Sequence, residues 1–169
     1  MTLHEHAIVR GVLLGHAGSM VVDPGTDPAE PAAGTARPGA RRAVDALRAA
    51  GLPVGAVAER PAADHRVESL VGPLDAWFAG TGGPADEATV RQAASALGIV
   101  PAELVVIGDG GPEMRAARAA GAAGILVPSD GTRDDGVDDA DVVVPSLLDA
   151  VALVLHMVRR AAPRAVDSR

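Results

Sequence analysis

The sequence contains neither cysteine nor lysine, and each absence excludes a kind of chemistry. A chain without cysteine has no disulfide, no thiolate nucleophile and no cysteine-ligated metal. All 15 basic residues are arginine, so no reaction that needs a lysine ammonium group is open to this chain. Aromatic residues make up only 1% of a chain that is 48% hydrophobic. The core must therefore consist of Val, Leu, Ile and Ala, which favours helices packed against a sheet.

The charge pattern and the length of the apolar runs each argue against one class of partner. The formal net charge is −7, and the arginines are scattered rather than arranged in a stripe with aromatic residues, so we expect no nucleic-acid partner. No apolar run has the length of a membrane span, so we expect no membrane partner. Gly11, Gly15 and His16 interrupt the apolar run near the N-terminus, which is therefore unlike a signal peptide. The sequence predicts a cytoplasmic protein.

Apolar runs alternate with helical patterns along the chain. Strands are predicted at residues 7–14, 52–58, 76–79 and 103–109, followed by the short strands AGILV and ADVVV. Helical spacing lies between them, at residues 40–51, 62–70, 90–97, 112–121 and from 145 onward. Residues 24–38 and the acidic segment 129–141 are predicted to be loops, the second of them solvated.

This alternation predicts a fold class and the position of a site. Strands buried on both faces and separated by helices indicate a three-layer α/β/α Rossmann-like domain with a central parallel sheet. We expect one domain over residues 1–158, no separate cap domain, and a flexible tail over residues 159–169. Ligands of such sheets bind at the carboxyl ends of the strands. Those ends are residues 14–19, 58–60, 80–83 and 109–113.

Three segments at these strand ends resemble known motifs. They read GHAGSMVVDP from Gly15, GLPVGAVAERP from Gly51 and GDGGPE from Gly108. Over residues 8–155 the chain resembles the haloacid dehalogenase (HAD) superfamily, whose first motif is a hydrophobic strand ending in DxDGT. Gly18 and Ser19 match the end of that motif. Gly15 and Ala17 stand in the places of its two aspartates.

The other motifs of the family are also incomplete in this chain. Ala58 replaces the phosphate-binding Ser or Thr of the second motif. Gly83 stands where the third motif supplies a lysine. In the fourth motif, GDxxxD, Asp109 is kept and Glu113 replaces the second aspartate.

The resemblance implies a scaffold without its usual reaction. Family phosphatases attack phosphorus with the first aspartate, and the second aspartate protonates the leaving oxygen and later activates water. Mg²⁺ and the lysine offset the charge that gathers at the phosphate. Gly15 supplies no nucleophile and Ala17 cannot exchange a proton. We therefore expect a pseudoenzyme that binds or scaffolds, with no catalytic residue of the standard mechanism.

An alternative function remains open. A pocket containing His16, Asp109 and Glu113 would suit a repurposed enzyme that catalyses a reaction other than aspartyl-phosphate hydrolysis. We expect no cofactor and at most weak Mg²⁺ binding, through Asp109 and Glu113. A site without a cap would be open to a protein partner or to a second copy of the chain. The candidate ligand-binding residues are Gly15, His16, Ala17, Gly18, Ser19, Ala58, Glu59 and Arg60.

Overall fold

The computed structural model describes residues 8–15, 20–22, 35–58, 64–79, 86–129, 132 and 134–161. Its strands are β1 (Gly11–Leu14), β2 (Val21–Val22), β3 (Thr35–Ala36), β4 (Val54–Ala58), β5 (Ala76–Ala79), β6 (Leu104–Gly108), β7 (Ala123–Leu126) and β8 (Val142–Val143). Its helices are α1 (Ala40–Ala49), α2 (Asp64–Val71), α3 (Glu87–Ala96), α4 (Gly111–Ala120), α5 (Asp134–Asp139) and α6 (Leu147–Ala161). A 3₁₀ turn, Pro101–Glu103, leads into β6.

Six of the strands form one parallel sheet in the order β5-β4-β1-β6-β7-β8. All five pairings between neighbours in this sheet are parallel. β1 lies between β4 and β6 in the interior of the sheet, and the predicted parallel sheet is confirmed. The carboxyl ends of β1 and β6 are therefore side by side.

Helices cover both faces of this sheet. Val12 and Leu14 of β1 belong to a core cluster that includes residues of α1, α2 and α6. Leu13, which points to the opposite face, belongs to a second cluster with residues of α3 and α4. All three side chains are fully buried, and each contributes about 1.5–3 kcal/mol of burial free energy. The predicted three-layer α/β/α architecture is confirmed.

Helix α4 begins and ends as its sequence predicts. Pro112 lies in its first turn, where a missing N–H costs nothing, and Gly121 follows its last residue with a left-handed φ of 81°. Only a residue without Cβ adopts that conformation readily. The helix is thus fixed directly behind the strand end that carries Asp109.

The acidic segment after β7 departs from the prediction. The sequence predicts a solvated loop over residues 129–141, whereas six of these residues form α5. The Asp139 carboxylate accepts hydrogen bonds from two arginines of α4, Arg115 Nη1 at 3.0 Å and Arg118 Nη1 at 3.2 Å. Asp141 accepts the backbone N–H of Gly124 at 2.8 Å. These contacts with distant residues stabilise a helix whose Asp- and Gly-rich sequence has low helix propensity.

Several element bounds also differ from those predicted. β1 begins at Gly11, so residues 8–10 of the predicted strand are not part of the sheet. Arg10 N still donates to Glu103 O at 2.9 Å. Residues 35–36, predicted as loop, pair with β2 in a small antiparallel ribbon. α6 continues to Ala161, three residues into the predicted tail. The remaining residues of that tail, 162–169, lie outside those described. None of the helices described is long and apolar enough to cross a membrane.

Candidate functional site at the carboxyl ends of β1 and β6

The adjacent ends of β1 and β6 bring together three of the predicted site residues, which are Gly15, Asp109 and Glu113. Gly15 directly follows β1, and its N–H donates to the Ile107 carbonyl at 2.6 Å. Asp109 follows β6, and Glu113 lies in the first turn of α4. Ala58 is the last residue of β4, the neighbour of β1 on its other side. The other predicted site residues lie outside those described: His16, Ala17, Gly18, Ser19, Glu59, Arg60 and Gly83.

Gly15, in the place of the nucleophile, is closely surrounded. A Cβ atom built on Gly15 would lie 3.1 Å from Gly108 Cα, 3.2 Å from the Ile107 carbonyl oxygen and 3.3 Å from Glu113 Cγ. Two of these three neighbours are backbone atoms of β6, which cannot retreat without moving the sheet. A side chain at this position would require these neighbours to give way by a few tenths of an ångström.

Glu113 is a buried carboxylic acid at the centre of this site, with 5% of its surface exposed. Its side chain lies over two further glycines. A Cβ on Gly108 would lie 2.9 Å from Glu113 Cβ, and one on Gly110 would lie 2.9 Å from Glu113 Oε2. A buried acid of this kind is costly unless it has polar partners, and Glu113 makes such an interaction. The three glycines leave the space that this side chain occupies.

Asp109 is held by hydroxyl groups from the segment after β7. Ser129 Oγ donates to Asp109 Oδ2 at 3.0 Å, and Thr132 Oγ1 donates to the Asp109 carbonyl at 2.5 Å. The two hydroxyl residues are also joined to each other, since Ser129 N donates to Thr132 Oγ1 at 2.7 Å. This network joins Asp109, Ser129 and Thr132, all half-buried, at the carboxyl edge of the sheet.

Ser129 and Thr132 were not among the predicted site residues. The signal that could have found them is the rule already used for the other strands, because Ser129 comes shortly after the carboxyl end of β7. What the sequence does not reveal is which acid such a hydroxyl contacts. That partner lies 20 positions away along the chain.

The N-terminus of α4 is covered by α5. A Cβ on Gly136 would lie 2.9 Å from the Gly111 backbone N, and a Cβ on Gly111 would lie 3.2 Å from Gly136 Cα. Helix N-termini commonly receive anions because their first N–H groups lack intrahelical partners. Here a backbone segment takes the place next to Gly111 that an anion would need.

The donor set does not fit the Mg²⁺ site that the resemblance implies. Among the residues described, no three His, Asp or Glu side chains come together in a group that could hold a metal ion. Mg²⁺ demands a near-ideal octahedron of oxygen ligands. In the site that the resemblance implies, the carboxylate of the first motif supplies one of them. Gly15 supplies no carboxylate, and one carboxylate oxygen of Asp109 already accepts from Ser129.

A surface depression elsewhere on the molecule is unrelated to this site. It is lined by Arg48, Gly51, Leu52, Pro53 and Asp75, at the amino end of β4. Asp75 there accepts from Arg48 Nη1 and from Val54 N, both at 2.8 Å. These bonds account for the charged groups of the depression as links between elements. We place the candidate site at the opposite, carboxyl end of the sheet.

Comparison with known proteins identifies the family. The model of the haloacid dehalogenase-like hydrolases matches residues 5–121, which is more than half of the chain. The chain belongs to this family. A curated relative, the phosphoglycolate phosphatase of Thiobacillus denitrificans, is 41% identical over 71 residues. The match covers 41% of this chain and 31% of the relative, so the chain spans about a third of that protein.

Solved structures share the fold over nearly the whole chain. The cobalt-bound deoxy-D-mannose-octulosonate 8-phosphate phosphatase of Haemophilus influenzae has a TM-score of 0.73 at 16% identity, covering 90% of this chain and 91% of that one. The 3-deoxy-D-manno-octulosonate 8-phosphate phosphatase of Moraxella catarrhalis, solved with magnesium, phosphate and the sugar acid, has a TM-score of 0.70 at 16% identity. It covers 91% of this chain and 90% of that one. At these identities the likeness concerns the fold alone.

Proposed function

We propose that this chain is a HAD-family protein without phosphatase chemistry, which acts as a binding or accessory protein. The observation that carries the proposal is Gly15, which stands where the nucleophile is expected and is enclosed by β6 and Glu113. A glycine cannot form a phosphoryl-enzyme intermediate. The fold that would present a nucleophile is kept, while the group that would react is absent.

The remaining parts of the reaction are missing as well. Ala17 replaces the acid/base aspartate, Ala58 replaces the phosphate-binding hydroxyl, and the chain has no lysine to balance phosphate charge. When catalytic groups act as a set, the loss of one costs about as much as the loss of all. The simultaneous absence of several supports a role that does not depend on this reaction.

Asp109 supports the same interpretation. Its bonds with Ser129 and Thr132 give this acid a structural task, anchoring the segment after β7 to the sheet. That task accounts for its presence in a chain that has no use for it in phosphoryl transfer.

We further propose that the partner is a macromolecule. Only residues 20–38 separate the first motif from α1, and two pairs of residues in that interval already form the β2–β3 ribbon. This length is too short for a folded cap, so the carboxyl edge of the sheet would be open. A protein partner or a second copy of the chain would suit such a face.

A repurposed enzyme is the second candidate. It is favoured by one observation, the buried acid Glu113 beside the half-buried Asp109 at the strand ends. A catalytic site often contains such acids, because burial and neighbouring charges adjust their proton affinity. His16, next to Gly15 in the sequence, would be its base.

Hydrolysis assays separate the two candidates. The chain is incubated with a panel of phosphomonoesters, with and without Mg²⁺, beside the variants Asp109→Asn and His16→Ala. We expect release of phosphate at the rate of the no-enzyme control in every case. General hydrolysis that is lost in Asp109→Asn would overturn the proposal, and turnover of one specialised substrate that is lost in His16→Ala would establish the repurposed enzyme.

A further inference from the structure

Helix α5 has a sequence that does not support a helix by itself. Four of its six residues are aspartate and a fifth is glycine, and both types rank low in helix propensity. Asp138 and Asp139 place negative charge in the last turn, where the helix dipole is already negative and α5 itself has no basic residue. Six residues are also too few for a stable isolated helix. The stability of α5 must therefore come from its neighbours.

Apolar burial contributes little to that stability. Val137 is the one residue of α5 with an apolar side chain, and 46% of its surface is exposed. Gly136 is buried but brings no side chain to the contact. A segment with so few buried apolar contacts belongs to the part of a protein that opens locally at a low cost in free energy.

Two arginines of α4 supply ionic contacts instead. Arg118 donates to the carbonyl oxygens of Asp138 at 3.1 Å and Asp139 at 2.9 Å, and to Asp139 Oδ1 at 3.2 Å. Arg115 donates to the other carboxylate oxygen, Asp139 Oδ2, at 3.0 Å. These bonds pair the last carbonyls of α5, which have no partner within the helix, and bring positive charge to its negative end. The ion pairs thus provide what the sequence of α5 lacks.

The same short helix covers the start of α4. The Cβ position of Gly136 lies 2.9 Å from the Gly111 backbone N, and the Cβ position of Gly111 lies 2.9 Å from Arg115 Nη1. Arg115 therefore reaches back along α4 and lies beside the place that α5 covers. Gly111 stands between Asp109 and Glu113 in the chain. Loss of the ionic contacts would consequently uncover the backbone of the candidate site.

We propose that α5 is an ion-pair latch on the candidate site. Arg115 and Arg118 hold it closed over the start of α4, and it opens alone, with α4 and the sheet still folded, when these ion pairs are weakened. The two arginine side chains are 50% and 57% exposed, so salt reaches the pairs. Helix α4 is held by buried apolar residues such as Met114 and Ala117, which salt does not screen. Access to the site is thereby controlled by the ionic surroundings, whatever the site binds.

The test measures amide hydrogen exchange of the full chain by NMR, residue by residue, at about 20 mM and at about 1 M NaCl. We expect exchange over α5 to become about fivefold faster at the higher salt concentration, relative to an unstructured reference peptide. The Gly111 amide should accelerate by a similar factor, because α5 covers it. The amides of residues 115–120 in α4 should change by less than about twofold, since their part of the fold stays closed.

The variant Asp139→Asn keeps the shape of the side chain and removes its charge. In this variant we expect exchange over α5 and at Gly111 to be about fivefold faster at low salt, with little further response to salt. The matched control is Glu87→Gln, which breaks an exposed ion pair on α3, between Arg91 Nε and Glu87 Oε1 at 2.8 Å. It should leave the exchange of α5 and its salt response as in the wild type.

Four results would overturn the latch. They are exchange over α5 that is independent of salt, wild-type exchange in Asp139→Asn, a Gly111 amide that does not follow α5, and acceleration of α4 by as much as α5. The last result would mean that the domain unfolds as a whole. Phosphomonoester hydrolysis by the unmodified chain would overturn the proposed function and would leave the latch intact.

Discussion

The structural role of Asp109 gives a prediction that separates an anchor from a catalytic acid. In the change Asp109→Ala, Ser129 Oγ loses the carboxylate to which it donates at 3.0 Å. A hydrogen bond to a charged group contributes roughly 1.5–3 kcal/mol, and the half-buried position of this one places it at the lower end, about 1.5 kcal/mol. The bond from Thr132 goes to the Asp109 main-chain oxygen and survives the change.

The expected loss is measurable by standard unfolding experiments. At about 2–4 °C per kcal/mol for a chain of this size, Asp109→Ala should lower the Tm by about 3–6 °C. Urea unfolding followed by circular dichroism should show a lower midpoint with an unchanged m-value, since the unfolded surface is the same. Ser129→Ala should lose about 1 kcal/mol, and the double variant should show a coupling of about 1 kcal/mol between the two residues.

The control is a second Ser–Asp pair on the surface. Ser146 Oγ donates to Asp149 Oδ2 at 2.5 Å at the start of α6, where Ser146 is half-buried and Asp149 is exposed to solvent. Asp149→Ala should cost less than about 1 kcal/mol, the usual contribution of an exposed acid in the first turn of a helix. The reasoning is refuted if Asp109→Ala is as stable as the wild type or more stable, with no coupling to Ser129. Replacing a functional residue often leaves stability unchanged or raises it, because such residues are kept for activity at a cost in stability.

Three other substitutions test separate contacts. Gly15→Ala should lower the Tm by about 4 °C because its Cβ meets three atoms within 3.3 Å; a raised Tm would show that the end of β1 has room. Gly136→Ala should destabilise the chain by moving α5 away from Gly111, seen as faster amide hydrogen exchange over Asp134–Asp139, and unchanged exchange would contradict the close contact. The Thr89 backbone N–H, helped by its hydroxyl, holds the pKa of Asp86 below its ordinary value of 3.8. Because the pKa of Asp86 is lower in the folded chain, its carboxylate stabilises the fold at pH values above 3.8, and this contribution is lost on acidification. The Tm difference between wild type and Asp86→Ala should therefore shrink as the pH falls below 3.8. A Tm difference that stays constant with pH would contradict this prediction.

The sequence predicts the layers of this fold because burial on both faces leaves a clear pattern. Leu104 to Gly108 form a continuous buried run, which is typical of a central parallel strand. Glycine and proline then mark the ends of helices such as α4. These signals are local, and they do not depend on which residues meet in space.

The parts that could not be predicted depend on contacts between distant residues. The helix α5 is stabilised by the arginines of α4, some 20 positions earlier in the chain, and its own sequence favours a loop. The same holds at the site. The motif comparison finds Gly15 and Glu113 as two separate replacements, whereas the structure places Glu113 Cγ 3.3 Å from the Cβ position of Gly15. The spacing of residues along the sequence does not show which side chain of one element contacts another element.

The most direct test of the central claim is whether the chain can take up a phosphoryl group at this site. The purified protein is exposed to a reactive acyl phosphate with Mg²⁺, quenched in acid, and examined by intact-mass and peptide mass spectrometry. We predict no species heavier by one phosphoryl group, because Gly15 offers no atom that can attack phosphorus. An acid-stable adduct of that mass on Asp109 or Glu113, lost when the modified residue is replaced, would contradict the account.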